Sequence, residues 1–323
     1  DLPDLRGRGM RVAVIGAGPV GQTLAASLIG AGSELVIVEI SSPVRERLAA
    51  DGIVVTGAHD LRVEAPRTVS AIEALEGEEI DVVFVAVKAP ATPLVAGAIE
   101  DSINREATVV SWQNGIDTER ALADAVEPDR IVRAVINHGV SLADDGSVVV
   151  TFEHPPHLVR EYAPAGSGRA RALADLLTRA GLRTERAENL EQAVWKKGAL
   201  NAALNAICAL TGLTVMDAWH DRFAGELARK VLRESILVAR ANEILLGSGF
   251  YRYALDYLAR AGTHRPSMLL DRIAGRRTEI DFINGKIIEY GQMAGVPTPF
   301  NEALVALVKA AERSTRQRGP KEE

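Results

Sequence analysis

Length, composition and charge limit the classes of protein to which this chain can belong. Its 323 residues, 47% of them hydrophobic, exceed what one ordinary core requires and suit two domains. The net charge is −6 with acidic and basic residues interspersed, which excludes a basic nucleic-acid-binding face, and the single cysteine excludes a disulfide framework.

The N-terminal part of the chain alternates short apolar runs with helical patterns. Strand–helix alternation predicts a parallel sheet with right-handed crossovers. The continuous apolar character of the third run is typical of a strand that is buried on both faces. The predicted strands are 11–16, 35–39, 81–88 and 108–115, and the predicted helices among them are 20–30 and 43–51.

From about residue 188 nearly every window has helical periodicity, and β-branched runs become rare. A long amphipathic helix is predicted at 224–247, ended by Gly247 and Gly249. Cys208 lies in another apolar helical stretch, and we interpret it as a small buried hydrophobic residue.

These patterns predict an α/β domain followed by an all-helical domain. Because no run approaches the roughly 18 uncharged apolar residues of a membrane helix, and no signal peptide is recognisable, we expect a cytoplasmic protein. The predicted divisions are an N-terminal domain at 10–187, a helical domain at 188–316, and flexible tails at 1–9 and 317–323.

A glycine-rich turn follows the first predicted strand and opens the first helix. In G-x-G-x-x-G spacing the first glycine makes the turn, the second lets the backbone approach a pyrophosphate, and the third lets helix and strand pack closely. The N–H groups of the first helical turn then bind the anion. The alternative is a plain strand–helix turn. The predicted dinucleotide-binding residues are Gly16, Ala17, Gly18, Pro19, Val20 and Gly21.

Glu39 ends the second predicted strand, where an acidic residue binds the ribose hydroxyls of NAD and repels the 2′-phosphate of NADP. Arg45 and Arg47 follow within a few residues. They either reach such a phosphate or form an ordinary solvated helix face. Glu39 therefore favours NADH over NADPH.

Two polar residues follow later strands. Lys88 and Asn114 come after the apolar runs at 81–88 and 108–115, and the carboxyl ends of parallel strands face the ligand crevice in open α/β sheets. Lys88 therefore flanks the cofactor or the substrate, or is simply solvated. Asn114-Gly115 is also a turn signal, and such a turn would aim the asparagine into the crevice.

An apolar helical stretch at 195–210 contains three polar residues on one face. Lys197, Asn201 and Asn205 recur every four positions and form one stripe, whereas Lys196 points about 100° away. Burying an amide without a partner costs roughly 1–3 kcal/mol, so the stripe must face water, another polar group or a ligand. We favour a ligand, with a wet helix edge or an inter-helix seam as alternatives.

A second polar cluster spans 264–285. Ser267 follows Pro266 and is predicted to cap a helix that begins there. Glu279 and Asp281 are predicted to open the next helix with Thr278 as its cap, and acidic residues are ordinary in that position.

Four motifs together resemble those of the ketopantoate reductase (2-dehydropantoate 2-reductase) family. The resemblance extends from about Met10 to residue 312; the last two motifs are specific, and the first is shared by many dehydrogenases. It implies a Rossmann domain plus a helical domain of the 6-phosphogluconate dehydrogenase type, with the site in the cleft between them. The motifs are GAGPVG at 16–21, QNG at 113–115, W-x-K-x-x-x-N-x-x-x-N at 195–205, and S-M-L-x-D…R-x-T-E-I-D-x-I-N-G at 267–285.

The resemblance also implies roles for the helical stripe and its companions. Lys197 corresponds to the general acid of the family, and Asn201 and Asn205 to residues that help bind the substrate. Asn114 corresponds to the asparagine that hydrogen-bonds the reacting region.

Three further residues match the family, and other features depart from it. Ser267 matches the serine that contacts the substrate carboxylate, Glu279 the glutamate that completes the catalytic site, and Lys88 the strand-end lysine. The family usually uses NADPH, with which Glu39 is at odds. His264 stands where some members have asparagine, and the segment 135–162 is unusual.

We therefore expect an NAD(P)H-dependent oxidoreductase that transfers a hydride to the C2 keto group of ketopantoate, giving pantoate for pantothenate biosynthesis. The alternatives are a related reductase of another 2-keto acid, 3-hydroxy acid or imine, and a non-catalytic NAD(P)H-binding regulator. The expected partner is a small molecule, with neither nucleic acid nor membrane. Apolar stripes on the C-terminal helices make a homodimer plausible. The six histidines show no metal-ligand spacing, so the sequence predicts no metal site.

Overall fold

The computed structural model describes residues 10–163 and 168–318. Within them the chain forms two compact units. The first extends to Asn114 and resumes over Thr118–Leu190, and the second comprises Gly115–Asp117 and the residues from Glu191 onward. The sequence placed 115–117 in the first domain, whereas these residues belong with the helices.

The strands lie in the first unit, and most of them are short runs rich in valine and isoleucine, whose branched side chains suit a pleated surface. In chain order they are β1 Arg11–Ile15, β2 Glu34–Val38, β3 Ile53–Gly57, β4 Leu61–Val63, β5 Arg67–Val69, β6 Val82–Val85, β7 Thr108–Ser111, β8 Ile131–Val135, β9 His138–Leu142, β10 Val148–Glu153, β11 His157–Glu161 and β12 Thr184–Arg186.

The main sheet has eight strands in the order β12-β11-β8-β7-β6-β1-β2-β5. Pairing is parallel from β5 through to β8, as predicted, with Ala13 of β1 opposite Val36 of β2 and Val83 of β6. The strand β11 is antiparallel to β8 and parallel to β12. The glycine turn follows β1, which is a central strand of this sheet.

The two faces of the main sheet pack into two different cores. Val12 and Phe84 belong to one cluster of buried residues, and their chain neighbours Ala13 and Val85 to the other. Alternation of side chains along a strand explains this division. It also explains why these strands are apolar at every position.

A second sheet has the order β4-β3-β10-β9 and was not predicted. The strand β10 is parallel to β3 and antiparallel to β9, with an irregularity between Val150 and Phe152. Its strands come from distant parts of the chain, so local pattern does not reveal the pairing. The unusual segment 135–162 supplies β9, β10 and β11.

The first unit contains helices as well as strands, and helices make up most of the second unit. The helices of the first unit are α1 Pro19–Gly30, α2 Ser42–Asp51, α3 Thr92–Ser102, α4 Arg120–Ala123 and α5 Arg169–Arg179. From the boundary onward they are α6 Leu190–Thr211, α7 Val215–His220, α8 Arg222–Ala241, α9 Phe250–Ala259, α10 Ser267–Ile273, α11 Asn284–Ala294 and α12 Pro299–Arg318. The prediction of a Rossmann-type α/β domain followed by a helical domain is confirmed.

The ends of two helices differ from the prediction. The helix α8 ends at Ala241, well before Gly247, because the Asn242 side chain bonds the Val238 carbonyl (2.8 Å) and Glu243 has φ of 61°. The helix α12 reaches Arg318, so 317–318 are helical rather than part of a tail. The remaining predicted tails, 1–9 and 319–323, lie outside the described residues.

Other expectations concern single features of the chain. Cys208 is fully buried, as predicted, and burial raises the pKa of its thiol to about 12, which leaves it unreactive at neutral pH. Among the described residues, no helix has both the length and the apolar character that a bilayer crossing requires.

Candidate active site

The glycine turn is built around a backbone that only glycine adopts without strain. Gly16 has φ of 103°, and its N–H donates to the Val38 carbonyl at 2.9 Å. A side-chain carbon at Gly16 would approach the Val87 nitrogen to 2.9 Å. The first glycine of the motif therefore bonds to β2 on one side, and on the other it lies too close to the residues after β6 to carry a side chain.

The other two glycines of the motif have different environments. A Cβ on Gly21 would lie 2.0 Å from the Gly16 carbonyl oxygen, so α1 packs against the turn only with glycine there. A Cβ on Gly18 would have no atom within 4 Å. The space beside Gly18 is therefore left open at the start of α1, and this opening fits a dinucleotide pyrophosphate.

The two residues that follow the last glycine hold the turn in place. Gln22 donates from its side chain to the Ala17 carbonyl (2.7 Å), and Thr23 donates to the Pro19 carbonyl (2.8 Å). Pro19 is the first residue of α1, where a missing N–H costs nothing. Val20 follows it, half-buried.

Glu39 contacts the glycine turn directly. It comes immediately after β2, and its Oε2 accepts from the Ala17 N–H at 2.9 Å while Oε1 accepts from the Ser41 N–H at 2.8 Å. The acid predicted to bind the ribose thus also fixes the turn. Each carboxylate oxygen keeps a second lone pair with which to accept another hydrogen bond.

The two nearby arginines are engaged with the chain itself. Arg45 donates to the carbonyl oxygens of Glu39 (2.6 Å) and Ile40 (2.8 Å), and Arg47 donates to the side chain of Gln22 (2.9 Å). The Arg45 guanidinium therefore braces the loop after β2, whereas that of Arg47 ties α2 to α1. Ile40 in that loop is 88% exposed.

Lys88 lies in the loop after β6 and Asn114 in the loop after β7, and hydrogen bonds connect the two loops. The Gln113 side chain donates to the Val87 carbonyl (2.7 Å) and to the Thr92 hydroxyl (2.9 Å). Lys88 is exposed and Asn114 is half-buried. Sequence reasoning missed the role of Gln113, whose only signal was its place in the QNG motif.

The three residues after Asn114 are anchored within the helical unit. The Ile116 N–H donates to the Phe282 carbonyl at 2.8 Å, and Asp117 adopts a positive φ of 59°. The Tyr290 hydroxyl lies 3.0 and 3.2 Å from the two oxygens of the buried Asp117 carboxylate, and Lys286 Nζ lies 3.5 Å from it. In the sequence, an acidic residue next to a turn is the only indication of this anchor.

The polar stripe lies on α6 as predicted from its spacing. Lys197 and Asn201 are half-buried, and Asn205 is only 8% exposed. Lys196 lies apart from them, with its Nζ bonded to the Gln192 side chain at 3.1 Å. Trp195, two residues before Lys197, packs edge-on against the Tyr290 ring at a centroid distance of 5.0 Å.

A buried amide network holds the middle of α6. Asn284 donates to the Ala202 carbonyl (3.1 Å) and to the side chain of Asn301 (3.0 Å), and Asn301 donates to Glu234 (2.7 Å). Unpartnered burial of such amides would cost roughly 1–3 kcal/mol each, so the network fixes one arrangement of the helices. This support was not foreseen from the sequence.

Ser267 and Glu279 lie at the starts of short helical segments. Pro266 occupies the cap position of α10 and Ser267 is its first residue, so the predicted capping role is wrong. Glu279 is 6% exposed and precedes a 3₁₀ turn at Ile280–Phe282 rather than opening an α-helix. Burial lowers the pKa of His264 below its usual range, which favours the neutral imidazole near pH 7.

The structure thus brings Gly16, Ala17 and Glu39 into one bonded group in the first unit. It aligns Lys197, Asn201 and Asn205 on one helix of the second unit, which also contains Ser267 and Glu279.

Comparisons with known proteins match both units. The family model described as ketopantoate reductase PanE/ApbA matches residues 12–158, and the one described as its C terminal matches residues 189–312. The 2-dehydropantoate 2-reductase of Archaeoglobus fulgidus is 30% identical over 306 residues, covering 94% of this chain and 99% of that protein. The enzyme of the same name from Pyrococcus horikoshii is 28% identical over 303 residues, covering 94% of this chain and 98% of that protein.

Solved structures agree with these matches. The PanE/ApbA family ketopantoate reductase from Ralstonia eutropha is 27% identical with a TM-score of 0.84, covering 95% of this chain and all (100%) of that chain. A D-mandelate dehydrogenase with NADH and anilino(oxo)acetate reaches a TM-score of 0.87 at 24% identity, covering 95% of this chain and 99% of that one, and shows likeness of fold alone.

Proposed function

Because the chain belongs to the ketopantoate reductase PanE/ApbA family, we propose that it is an NAD(P)H-dependent reductase of a 2-keto acid, with ketopantoate as substrate and pantoate as product. The observation that supports this most directly is the stripe of Lys197, Asn201 and Asn205 along an otherwise apolar helix. A ligand of complementary polarity accounts for such a stripe. A non-catalytic regulator has no need of it.

The first unit has the features that a nicotinamide dinucleotide requires. N–H groups of the first turn of α1 would bind the pyrophosphate in the space beside Gly18, and the carboxylate of Glu39 would accept from the ribose hydroxyls. Lys88 and Asn114 would flank the cofactor from the ends of β6 and β7. When bound, the cofactor supplies a hydride.

The helical unit would hold and protonate the substrate. Ser267 would bind the carboxylate of the keto acid, and Asn201 and Asn205 would orient its polar groups without adding charge. Lys197 would donate a proton to the keto oxygen as C2 receives the hydride, giving a 2-hydroxy acid, and would regain its proton from water. A well-placed donor at such an oxygen lowers the barrier by about 3–4 kcal/mol.

Two other residues complete this arrangement. Glu279 would hold a substrate hydroxyl, which distinguishes ketopantoate from simple 2-keto acids. Asn114 would also donate a hydrogen bond to the reacting region. Asn114 directly follows Gln113, whose side chain bonds the loop after β6, and Glu279 directly precedes a 3₁₀ turn.

A cofactor-oxidation assay tests the proposed activity. We expect the purified protein to oxidise NAD(P)H when ketopantoate is added and to form an equal amount of pantoate, measured by loss of nicotinamide absorbance and by product chromatography. A panel of 2-keto acids and imines tested in parallel with NAD(P)H, and of 3-hydroxy acids tested in the reverse direction with NAD(P)+, identifies another substrate if one is preferred. Tight binding of NAD(P)H without oxidation by any compound would instead identify a regulator.

We infer that NADH is the preferred cofactor, because Glu39 presents a negative charge at the ribose and because Arg45 and Arg47 already bond to the chain. Replacing Glu39 with glutamine is expected to shift the ratio of kcat/KM values toward NADPH by about tenfold, the effect of roughly 1–2 kcal/mol of charge repulsion at a partly exposed site. The ratio cancels any loss common to both cofactors. Glu46→Gln, which removes an exposed charge from α2, serves as the control, and an unchanged ratio in Glu39→Gln would contradict the inference.

A further inference from the structure

Three histidines and one glutamate meet in the first unit. His138 and His157 are buried, and the side chains of Glu153 and His59 are 20% and 17% exposed. One ligand atom from each of His138, Glu153 and His157 lies within 4.8 Å of the others. His59 Nε2 lies 3.2 Å from Glu153 Oε1. Four groups of this chemistry in one place are typical of a metal site rather than of a sheet edge.

Strand pairing brings these residues together. His138 begins β9 directly opposite Glu153 at the end of β10, and His157 begins β11. His59 follows β3, whose end is held to β10 by a bond from the Ala58 N–H to the Val150 carbonyl (3.0 Å). Because the pairing is non-local, the spacing of the histidines along the chain does not indicate it.

The hydrogen bonds of His157 define its role in the cluster. The Asn137 N–H donates to His157 Nδ1 at 2.9 Å, so Nδ1 has no proton and Nε2 carries it. A flipped ring would place a carbon against that N–H. Metal-binding histidines instead donate a proton from their second nitrogen. His157 is therefore not a ligand. Its Nε2–H faces the Glu153 carboxylate at 4.0 Å, beyond hydrogen-bond distance but close enough for electrostatic attraction.

The other three side chains have the composition of a zinc ligand set. At metal–ligand distances of about 2.0–2.2 Å, tetrahedral ligands lie about 3.3 Å apart, close to the His59–Glu153 separation of 3.2 Å. The ligand atoms of Glu153 and His138 lie at most 4.8 Å apart, so that pair needs at most about 1.5 Å of closure by side-chain rotation. His59 is placed by its contact with Glu153, and binding one ion also requires the His59 and His138 rings to turn toward each other. Two imidazoles and a carboxylate suit zinc and its neighbours, whereas calcium and magnesium prefer oxygen ligands throughout.

We propose that His59, His138 and Glu153 bind one divalent transition-metal ion of the zinc class, with His157 positioning the Glu153 carboxylate. The ion would join the loop after β3 to β9 and β10 and so stabilise the four-stranded sheet. This site shares no residue with the glycine turn or with the residues proposed for hydride transfer, so its test does not depend on that function.

The test measures metal uptake by the full chain without a histidine tag. We expect calorimetric titration with Zn²⁺ to give one saturable site per chain, Co²⁺ to give the visible absorption of a tetrahedral complex, and the melting temperature to rise with Zn²⁺ concentration. His138→Ala and Glu153→Gln are expected to weaken Zn²⁺ binding by about 100-fold or more, and His157→Ala by about 10–100-fold.

Two other histidines provide matched controls. His154→Ala, at an exposed residue next to Glu153, and His220→Ala, in the helical unit, should leave Zn²⁺ affinity unchanged. Circular dichroism without metal establishes that each variant folds. If the histidine variants do not fold, Glu153→Gln still tests the site, because glutamine has nearly the same shape as glutamate. Absence of a saturable site, or equal affinity in the wild type and Glu153→Gln, overturns the proposal. Unchanged affinity in His157→Ala overturns the positioning role.

Discussion

Replacing Lys197 with alanine is expected to lower kcat for ketopantoate reduction by about two to four orders of magnitude, the usual contribution of a general acid. Without the ammonium, the alkoxide formed by hydride transfer has no proton donor from the α6 stripe. Binding of NAD(P)H should remain within about twofold of wild type, because the cofactor contacts proposed here lie in the other unit. Steady-state kinetics and a fluorescence titration of NAD(P)H measure the two quantities.

Two further variants separate proton donation from charge and from general effects on α6. Lys196→Ala is the matched control, since Lys196 lies one position earlier and bonds Gln192 at 3.1 Å, away from the stripe. Lys197→Arg keeps the positive charge but holds its proton too firmly to donate it, so it should be nearly as impaired as alanine. Turnover of Lys197→Ala within tenfold of the wild type would exclude Lys197 as the general acid.

Elements that depend on local pattern were predicted well from the sequence. The first strand, expected at 11–16, is observed at Arg11–Ile15, and the first helix, expected at 20–30, begins at Pro19. Each is specified by its own residues: a β-branched run in one case, and a glycine turn followed by a helical period in the other. Parallel order also followed, since short crossovers leave few alternatives.

Elements that depend on distant partners were not predicted. The four-stranded sheet pairs β10 with β3, and no feature of either strand identifies the other. The end of α8 illustrates a different limit, because Asn242 and Glu243 end the helix through a side-chain bond and a positive φ, while the glycines beyond looked like stronger stop signals.

In the candidate site, too, features that depend on local sequence were predicted and features that depend on distant partners were not. The α6 stripe follows from a four-residue spacing, and Glu39 from its distance to the glycine turn. The second task of Glu39, accepting from the Ala17 N–H, exists only once β1 and β2 are paired. The anchor between Asp117 and Tyr290 likewise joins residues that are distant in the chain, and only the folded helical unit reveals it.

Alanine at Gly18 and at Gly21 is expected to produce two different defects. In Gly21→Ala the new methyl group would lie 2.0 Å from the Gly16 carbonyl oxygen, a backbone atom that cannot rotate away. Overpacking of this kind costs about 1–3 kcal/mol of unfolding free energy. The variant should therefore melt at a lower temperature without cofactor, and it should bind NAD(P)H weakly because the turn is displaced.

Gly18→Ala has no such conflict within the protein. No atom lies within 4 Å of the added carbon, and Gly18 has φ of −67° and ψ of 175°, a conformation open to alanine. Its unfolding free energy should change by less than about 1 kcal/mol. The methyl group nevertheless enters the space proposed for the pyrophosphate, so NAD(P)H affinity should fall by about tenfold or more.

The comparison between the two variants locates the cofactor more firmly than either does alone. Thermal unfolding without cofactor gives the stability of each variant, and titration with NAD(P)H gives its cofactor affinity. Both are compared with the wild type. Normal stability with weak binding in Gly18→Ala means that the ligand occupies the space beside Gly18, since no other part of the described chain comes within 4 Å of it. Wild-type affinity in that variant would mean that the pyrophosphate binds elsewhere, and the hydride transfer proposed from this turn would have no basis.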